Sequence, residues 1–276
     1  MSGDLKKALA GQLSPDELDR LVRSYDVVGD MAIIIIPEEL LARKRQIADT
    51  ILALHKNIRV VARRAGYYGG EFRILPLEII GGEERREILH RENGVRLLFN
   101  PERVYYSVRS GNERKRVAAL VGEGERVLVL FSGIGPYPLV IGRTQPLCQV
   151  VGIEKNPEAH AYAVKNLSYN KKIVNVSFIQ GDVRERLPQL GTVFDRIIMP
   201  LPKSAGDFLD LAFGSLHRDG WLHFYDLREK GGFAEAVEKI EHVCRRNDRE
   251  LAAASVTVAG HCSPRLFRIC IDARIG

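Results

Sequence analysis

The chain has 276 residues, of which 45% are hydrophobic and 28% are charged, so it can bury a large core and is expected to form two domains. No apolar run approaches the ~20 residues that a membrane-spanning helix needs, and no apolar signal segment follows the N-terminus, which together predict a cytoplasmic protein. The formal charge of +6 favours an anionic partner such as nucleic acid, although a charge of this size can also serve solubility alone.

The basic residues are concentrated in one part of the chain. Residues 1–50 contain 7 basic and 9 acidic side chains, whereas residues 51–116 contain 14 basic and 8 acidic side chains. This local excess predicts a face that binds a polyanion such as RNA in a salt-sensitive manner.

The cysteines and histidines do not indicate a metal site. Cys148, Cys244, Cys262 and Cys270 are scattered without metal-binding spacing, and the seven histidines are dispersed. We therefore expect reduced, mostly buried thiols and no bound metal.

The first hundred residues mix helical and strand patterns. Ser14 is a capping residue followed by Pro at the first helical position and by acids in the first turn, which predicts a helix to about Arg23. Apolar spacing predicts a longer helix over 38–56, and apolar runs predict strands over 31–36, 58–63, 72–80, 85–92 and 95–99. Residues 66–70 form a glycine-rich loop that carries Tyr67 and Tyr68. Residues 1–100 are thus expected to be a small α+β domain.

From residue 117 onward, short apolar strands alternate with helices. Strands are predicted over 126–131, 149–154, 176–180, 196–199 and 221–225, and helices over 158–170, 204–216 and 233–246. Such alternation is typical of an α/β domain with a doubly wound, mainly parallel sheet, here over residues 101–276. Residues 252–258 and 266–274 are expected to form a closing hairpin.

Three successive predicted strands end in residues that can bind an adenosine group. The first ends in a turn, Phe131-Ser-Gly-Ile-Gly-Pro136, where Gly133 and Gly135 let a ligand approach the backbone. The next two end at Glu154 and Asp182, and Glu154 lies about 20 residues beyond the turn, the spacing at which nucleotide-binding folds place an acid on ribose. Neither a GxGxxG pattern nor a P-loop is present, so a ligand without phosphates fits, and S-adenosylmethionine (SAM) is such a ligand.

A structural alternative exists for each of these features. The glycines could serve tight packing of strand and helix, and both acids could cap helices. Near the turn, Glu113 falls in the first turn of a predicted helix, where a carboxylate favours the helix dipole. Residues 196–204 form a strand that breaks at two prolines, at the sheet edge where ligands bind, and their alternative role is a rigid loop.

Several motifs, in order, resemble one known family. The segments are Ser24-Tyr-Asp-Val-Val-Gly-Asp-Met-Ala-Ile-Ile34, His55-Lys-Asn57, Val104-Tyr-Tyr-Ser107, Asn112-Glu-Arg-Lys-Arg-Val117, Phe131–Pro136, Ile153-Glu-Lys-Asn-Pro157, Gly181-Asp-Val-Arg184 and Ile198-Met-Pro-Leu-Pro-Lys-Ser204. They are similar to motifs of the class I SAM-dependent enzymes that methylate guanine N1 next to the anticodon of tRNA. That family includes the paralogous aminocarboxypropyl transferases of wybutosine synthesis.

The resemblance implies a Rossmann-like methyltransferase domain, SAM as cofactor and the anticodon region of tRNA as substrate. It implies that Glu113 is the general base for guanine N1, that Arg73 supports charge on the guanine oxygen, and that Tyr105 shapes the base pocket. It also implies a set of cofactor contacts: Ser107, Arg114, Phe131, Gly133, Gly135, Glu154, Asn156, Asp182, Val183 and Leu201.

The chain departs from the family pattern at three places. Val129 stands where the first SAM motif usually has an acid, and Pro200 stands where an amide side chain is usual. Longer members carry an extra N-terminal module that reads tRNA shape, and this chain is expected to lack it. The Leu201–Pro202 pair favours methyl transfer, whereas Glu154 within its motif and the short N-terminus resemble the aminocarboxypropyl transferases. An RNA-binding homologue with weak or no methyl transfer is a third hypothesis, and the sequence does not indicate an oligomeric state.

Overall fold

The structure is a computed structural model that describes residues 3–201 and 205–276. Pro202, whose identity favours methyl transfer, therefore lies outside the described residues together with the two residues that follow it. The chain divides into two compact units. The first unit contains the residues up to 92 and residues 96–108, and the second contains residues 93–95 and 109–276.

The first unit combines helices with a four-stranded sheet and a hairpin. Its helices are α1 (Gly3–Leu9), α2 (Pro15–Arg20) and α3 (Lys44–Leu54), with a 3-10 helix at Glu38–Arg43. The sheet has the order β1 (Tyr25–Val28), β2 (Met31–Ile34), β3 (Val60–Arg64) and β4 (Leu77–Gly82), and β2 and β3 are parallel. Strands β5 (Ile88–Glu92) and β6 (Val95–Phe99) form the hairpin.

The predicted helix start at Ser14 is confirmed. Its hydroxyl accepts a hydrogen bond from the Glu17 N–H, and the Glu17 carboxylate accepts one from the Ser14 N–H, which completes a capping box. Helix α1 was not predicted, although its Leu5 and Leu9 are fully buried in the core of this unit.

Two predicted boundaries in the first unit are wrong for a physical reason. The strand predicted over 72–80 was expected to end before Gly81 and Gly82, but both residues belong to β4. A Cβ on Gly81 would lie 2.7 Å from the Cβ of Ala48 in α3, so glycine permits close packing of helix and strand. The strand predicted over 72–80 begins only at Leu77, and Arg73 within the predicted range adopts a left-handed backbone conformation, φ +51°, that a regular strand does not contain.

The second unit is an α/β domain around a seven-stranded, mostly parallel sheet. Its strand order is β12-β13-β11-β10-β7-β8-β9, and only the pairs β11–β13 and β12–β13 are antiparallel. The strands are β7 (Arg126–Leu130), β8 (Gln149–Glu154), β9 (Val176–Gln180), β10 (Phe194–Met199), β11 (Leu216–Glu229), β12 (Leu251–His261) and β13 (Leu266–Ile275). This architecture confirms the predicted fold class.

Helices cover the sheet of the second unit and position its edge. They are α4 (Gly111–Ala119), α5 (Pro136–Thr144), α6 (Pro157–Tyr169), α7 (Val183–Gln189), α8 (Leu209–Gly214) and α9 (Phe233–Arg246), with 3-10 helices at Val108–Ser110 and Ala205–Phe208. Four consecutive residues of β7, from Val127 to Leu130, are fully buried, as expected of a strand covered on both faces. Because β7, β8 and β9 are neighbours and parallel, their carboxyl ends meet at one edge.

All four cysteines are free, with Cys148, Cys244 and Cys270 buried and Cys262 exposed, as the sequence predicted. Among the helices of residues 3–201 and 205–276, none is both long and apolar enough to cross a membrane.

Candidate functional site

The turn after β7 is shaped by three residues with left-handed backbone conformations. Phe131, Gly133 and Gly135 have φ values of +56°, +57° and +87°. Gly135 is the N-cap of α5, and a Cβ there would lie 2.6 Å from the ring of Phe178. A Cβ on Gly133 would meet no atom within 4 Å, so the backbone of this turn is open to a ligand. A left-handed phenylalanine costs about 1–3 kcal/mol, and such strain clusters at functional sites.

Glu154 at the end of β8 is fixed against the glycine turn. Its Oε2 accepts a hydrogen bond from the Gly133 N–H at 2.7 Å, and its Oε1 accepts one from the Asn156 N–H at 2.7 Å. Burial raises the pKa of Glu154, and these backbone hydrogen bonds oppose that rise. Each carboxylate oxygen keeps a further lone pair, so the group can still accept hydrogen bonds from ribose hydroxyls.

The helix-cap alternative holds for Asp182 and not for Glu154. Helix α6 is capped by Asn156, whose Oδ1 accepts a hydrogen bond from the Glu158 N–H at 2.9 Å. Asp182 is the N-cap of α7 and accepts a hydrogen bond from the Arg184 N–H at 2.9 Å. That hydrogen bond and the ammonium of Lys155, 3.0 Å from Oδ2, lower the pKa of Asp182. Asp182 therefore stays ionised while it caps the helix.

Three further predicted cofactor residues of the second unit follow strands or begin a helix. Val183 is buried at the start of α7, Leu201 packs against the core, and the Phe131 ring contacts the Phe208 ring edge-on at 4.9 Å between centroids. The buried hydroxyl of Ser132 has no hydrogen-bond partner among the described residues. An unsatisfied buried hydroxyl and the open backbone at Gly133 both fit a polar ligand such as SAM.

Glu113 lies in the first turn of α4 and is buried, with 6% of its surface exposed. Its Oε2 accepts a hydrogen bond from Arg116 Nε at 2.8 Å. Its Oε1 accepts one from Arg116 Nη2 at 2.8 Å and one from the Tyr225 hydroxyl at 2.6 Å. Glu113 is therefore part of a buried hydrogen-bonded network. A carboxylate that served only to interact with the helix dipole could do so from an exposed position and would not need these partners.

The network continues across the sheet through residues that the sequence analysis missed. Arg116 Nη1 donates to Asp272 Oδ2 at 2.6 Å, and His223 Nδ1 lies 2.5 Å from Asp272 Oδ1. Arg196 Nη1 lies 2.7 Å from His223 Nε2, and Arg196 also forms two hydrogen bonds with Glu125. These residues are far apart in sequence and meet because β11 and β13 pair with His223 opposite Asp272.

The hydrogen bonds fix the protonation states in this network. Because a guanidinium only donates, Nε2 of His223 accepts from Arg196 and Nδ1 carries the proton that Asp272 accepts. Burial lowers the pKa of His223, which stays neutral. Burial opposes charge on Asp272, but the hydrogen bonds from His223 and Arg116 outweigh it and hold the pKa of Asp272 below its usual value.

His223, Cys270 and Asp272 place three potential metal-ligand atoms within 4.8 Å of one another. Their arrangement is nevertheless that of an ion network. Nε2 of His223 accepts from Arg196, and both oxygens of Asp272 accept from Arg116, so two guanidinium groups already supply the positive charge.

Two predicted catalytic residues, Arg73 and Tyr105, contact each other in the first unit. The guanidinium of Arg73 lies 4.3 Å from the centroid of the Tyr105 ring and 6.0 Å from that of Tyr68. Tyr68 and Tyr105 pack edge to face at 5.5 Å. Arg73 is, like Phe131, a non-glycine residue in a left-handed conformation, which orients its side chain at a cost in backbone strain.

The other predicted residues are divided between the two units. Ser107 is partly buried in the first unit, and Tyr67 is 95% exposed in its loop. In the second unit Arg114 is buried, with its guanidinium 5.9 Å from the centroid of the Tyr137 ring. Several arginines of the basic stretch pair with carboxylates inside the first unit, among them Arg59, Arg63, Arg64, Arg85 and Arg86.

A mostly parallel seven-stranded sheet whose adjacent strands end in a glycine turn and two acids has the architecture of a class I SAM-dependent methyltransferase. The chain belongs to the TRM5/TYW2 methyltransferase family. Residues 88–252 match the TRM5/TYW2 methyltransferase domain, and residues 5–85 match the TYW2 N-terminal domain. The resemblance stated from the sequence is thereby confirmed, as is SAM as the cofactor of this family.

Named relatives come from both branches of the family. The chain is 36% identical to the tRNA (guanine(37)-N(1))-methyltransferase Trm5b of Pyrococcus abyssi, over 95% of this chain and 78% of that protein. It is 30% identical to the tRNA(Phe) (4-demethylwyosine(37)-C(7)) aminocarboxypropyltransferase of Methanocaldococcus jannaschii, over 74% of this chain and 81% of that protein. The structure of a complex of aTrm5 with tRNALeu is similar with a TM-score of 0.85 at 29% identity, and the match covers 99% of this chain and 78% of that one.

Proposed function

We propose that this protein is a SAM-dependent tRNA methyltransferase that transfers a methyl group to N1 of the guanine on the 3′ side of the anticodon. The observation that carries the proposal is the buried carboxylate of Glu113. It lies in the same unit as the sheet edge where β7, β8 and β9 end in a glycine turn and two acids. The relationship to Trm5b, at 36% identity over most of the chain, supports the same reaction.

The proposed chemistry requires a base beside guanine N1. This nitrogen becomes a nucleophile only as its proton leaves, and a carboxylate such as Glu113 accepts that proton. SAM supplies an electrophilic methyl group on a sulfonium. In our proposal the chain holds SAM through the Phe131–Gly135 turn, Glu154 and Asp182, with Ser107, Arg114, Asn156, Val183 and Leu201 completing the contacts.

Arg73 and Tyr105 are proposed to act on the base itself. Loss of the N1 proton moves negative charge onto the guanine oxygen, and a guanidinium near that oxygen stabilises it. The contact between Arg73 and the Tyr105 ring limits the rotamers of the arginine before substrate binds. We also propose that the first unit contributes to contact with the anticodon region of tRNA, through its basic stretch and the exposed ring of Tyr67.

The second candidate is aminocarboxypropyl transfer, and the match of residues 5–85 to the TYW2 N-terminal domain favours it. Both reactions begin from SAM and a tRNA base beside the anticodon. Mass spectrometry of the product nucleoside separates the two, because the added groups differ greatly in mass.

The direct test uses purified protein, SAM and unmodified tRNA transcripts that carry either G or A beside the anticodon. Methylation of the G transcript alone supports the proposal, and no SAM-dependent product on that transcript would refute it. Glu113→Gln is expected to lower the single-turnover rate by about 10²- to 10⁴-fold while SAM affinity persists. Glu238→Gln, an exposed change on α9, serves as the matched control.

A further inference from the structure

Glu113 shares its hydrogen-bond donors with a second buried carboxylate. Arg116 binds Glu113 through Nε and Nη2, and it binds Asp272 through Nη1 at 2.6 Å and Nη2 at 3.2 Å. One guanidinium therefore serves two carboxylates, and its Nη2 group is divided between them. The Tyr225 hydroxyl donates to Glu113 alone among these carboxylates, at 2.6 Å.

The groups around Glu113 come from four elements. They are Arg116 and the adjacent Arg114 from α4, Tyr137 from α5, Tyr225 from β11 and Cys270 from β13. Asp272 of β13 is linked to Glu113 through Arg116, and His223 of β11 is linked through Asp272.

Most of these neighbours hold a fixed charge near neutral pH. Burial raises the pKa of Tyr137, Tyr225 and the Cys270 thiol, so all three stay protonated and neutral. His223 is neutral for the reason given above. Hydrogen bonding to Glu113 raises the pKa of Arg116, which stays charged. Arg116 and Tyr225 both donate hydrogen bonds to the Glu113 carboxylate.

We propose that Tyr225 and Asp272 are positioning residues that control, in opposite directions, how readily Glu113 takes up a proton. Tyr225 donates to the ionised carboxylate and so favours its charged form. Asp272 accepts hydrogen bonds from the same Arg116 guanidinium, which weakens the hydrogen bonds that Arg116 makes with Glu113 and makes the charged form of Glu113 less favoured. His223, held by Arg196, keeps Asp272 in place for this competition. This inference rests on the role proposed above for Glu113.

The two residues can be tested by substitutions with opposite expected signs. Tyr225→Phe removes a donor to Glu113, so the acid limb of the pH–rate profile is expected to move about one pH unit higher. Asp272→Asn leaves Arg116 to Glu113, so the acid limb is expected to move lower, with a reduced plateau rate because the base is weaker. A merely structural role would lower the rate at every pH without moving the limb.

The experiment measures single-turnover methylation of the G transcript across a pH series for the full chain and both variants. Tyr169→Phe and Asp210→Asn are matched controls at exposed positions of α6 and α8, and they are expected to leave the limb unmoved. Shifts in the same direction, or no shift in Tyr225→Phe, would overturn the inference. Tyr225→Phe changes one hydroxyl only, so its sign decides the matter if Asp272→Asn does not fold.

A second readout does not require turnover. The carboxyl carbons of ¹³C-labelled glutamates report each titration by NMR, and the Glu113 signal is the one that Glu113→Gln removes. The midpoint of that signal is expected to rise in Tyr225→Phe and to fall in Asp272→Asn, and an unchanged midpoint in both would overturn the inference. If the wild-type chain forms no product while the midpoints move as expected, the proposed function is wrong. The opposite effects of Tyr225 and Asp272 on Glu113 are then still supported.

Discussion

The buried neutral His223 makes the stability of the second unit depend on pH. Its ring is 0% exposed, it accepts from Arg196 and donates to Asp272, and burial lowers its pKa. In the unfolded chain the same residue titrates near its ordinary pKa of about 6.5. Below that pH the unfolded state binds a proton that the folded state does not, so the free energy of unfolding falls as pH falls. The slope from this one residue rises to about 1.4 kcal/mol per pH unit roughly one unit below pH 6.5, and it vanishes roughly one unit above that pH.

Urea unfolding at a series of pH values, followed by tryptophan fluorescence, measures this slope for the second compact unit of the chain. The chain has one tryptophan, Trp221, and it lies in β11 of the second unit. His223→Gln replaces the ring with an amide that can donate to Asp272 and accept from Arg196 without titrating. About one unit below pH ~6.5 the variant is expected to lose nearly 1.4 kcal/mol per pH unit of slope, whereas the exposed control His242→Gln keeps the wild-type slope. Equal slopes in wild type and His223→Gln would show that His223 does not stay neutral in the folded state.

Two further predictions concern the sheet edge at which we propose that SAM binds. Gly135→Ala combines a left-handed backbone with a Cβ 2.6 Å from Phe178, so it is expected to cost at least about 2 kcal/mol of unfolding free energy and to weaken SAM binding. Gly214→Ala, where a Cβ meets no atom within 4 Å, is expected to change stability by less than about 0.5 kcal/mol in the same urea titration, and equal effects of the two would contradict this explanation. Glu154→Gln turns an acceptor of the Gly133 N–H into an amide of reduced accepting capacity, and calorimetry is expected to show SAM affinity lowered by about 10- to 100-fold. An unchanged affinity would show that this carboxylate does not bind the ribose.

The sequence predicted the parts of the fold that depend on local pattern. The strands over 149–154 and 176–180 and the helix over 233–246 have the predicted bounds, because continuous apolar runs and helical spacing identify such elements. Helix α5 was missed because Pro136 and Pro138 look like helix breakers, although proline is well suited to the first turn of a helix.

Elements that depend on distant partners could not be predicted in the same way. Strand β11 runs from Leu216 to Glu229, well beyond the predicted 221–225, because it pairs with β13 from Gly220 to Glu229. The same pairing brings His223 opposite Asp272, and no local pattern specifies that register. One signal was present: His223 and Tyr225 lie two apart in an apolar strand, and so share one face of the sheet.

The candidate site shows the same division between local and distant determinants. The proximity of the glycine turn and Glu154 was predictable because both lie in short motifs at the ends of neighbouring strands. The left-handed conformations of Phe131 and Arg73 were not, because neither residue type indicates a positive φ. The partners of Glu113 were also hidden, since Tyr225 and Asp272 follow it by 112 and 159 positions in the chain.

Mass spectrometry of tRNA modified by the purified protein with SAM is the decisive measurement for the proposed methyl transfer. We expect a single methyl group on the guanine beside the anticodon, formed by the wild-type chain and reduced by about 10²-fold or more in Glu113→Gln. An aminocarboxypropyl group on that nucleoside, a methyl group on another base, or no SAM-dependent product would contradict it.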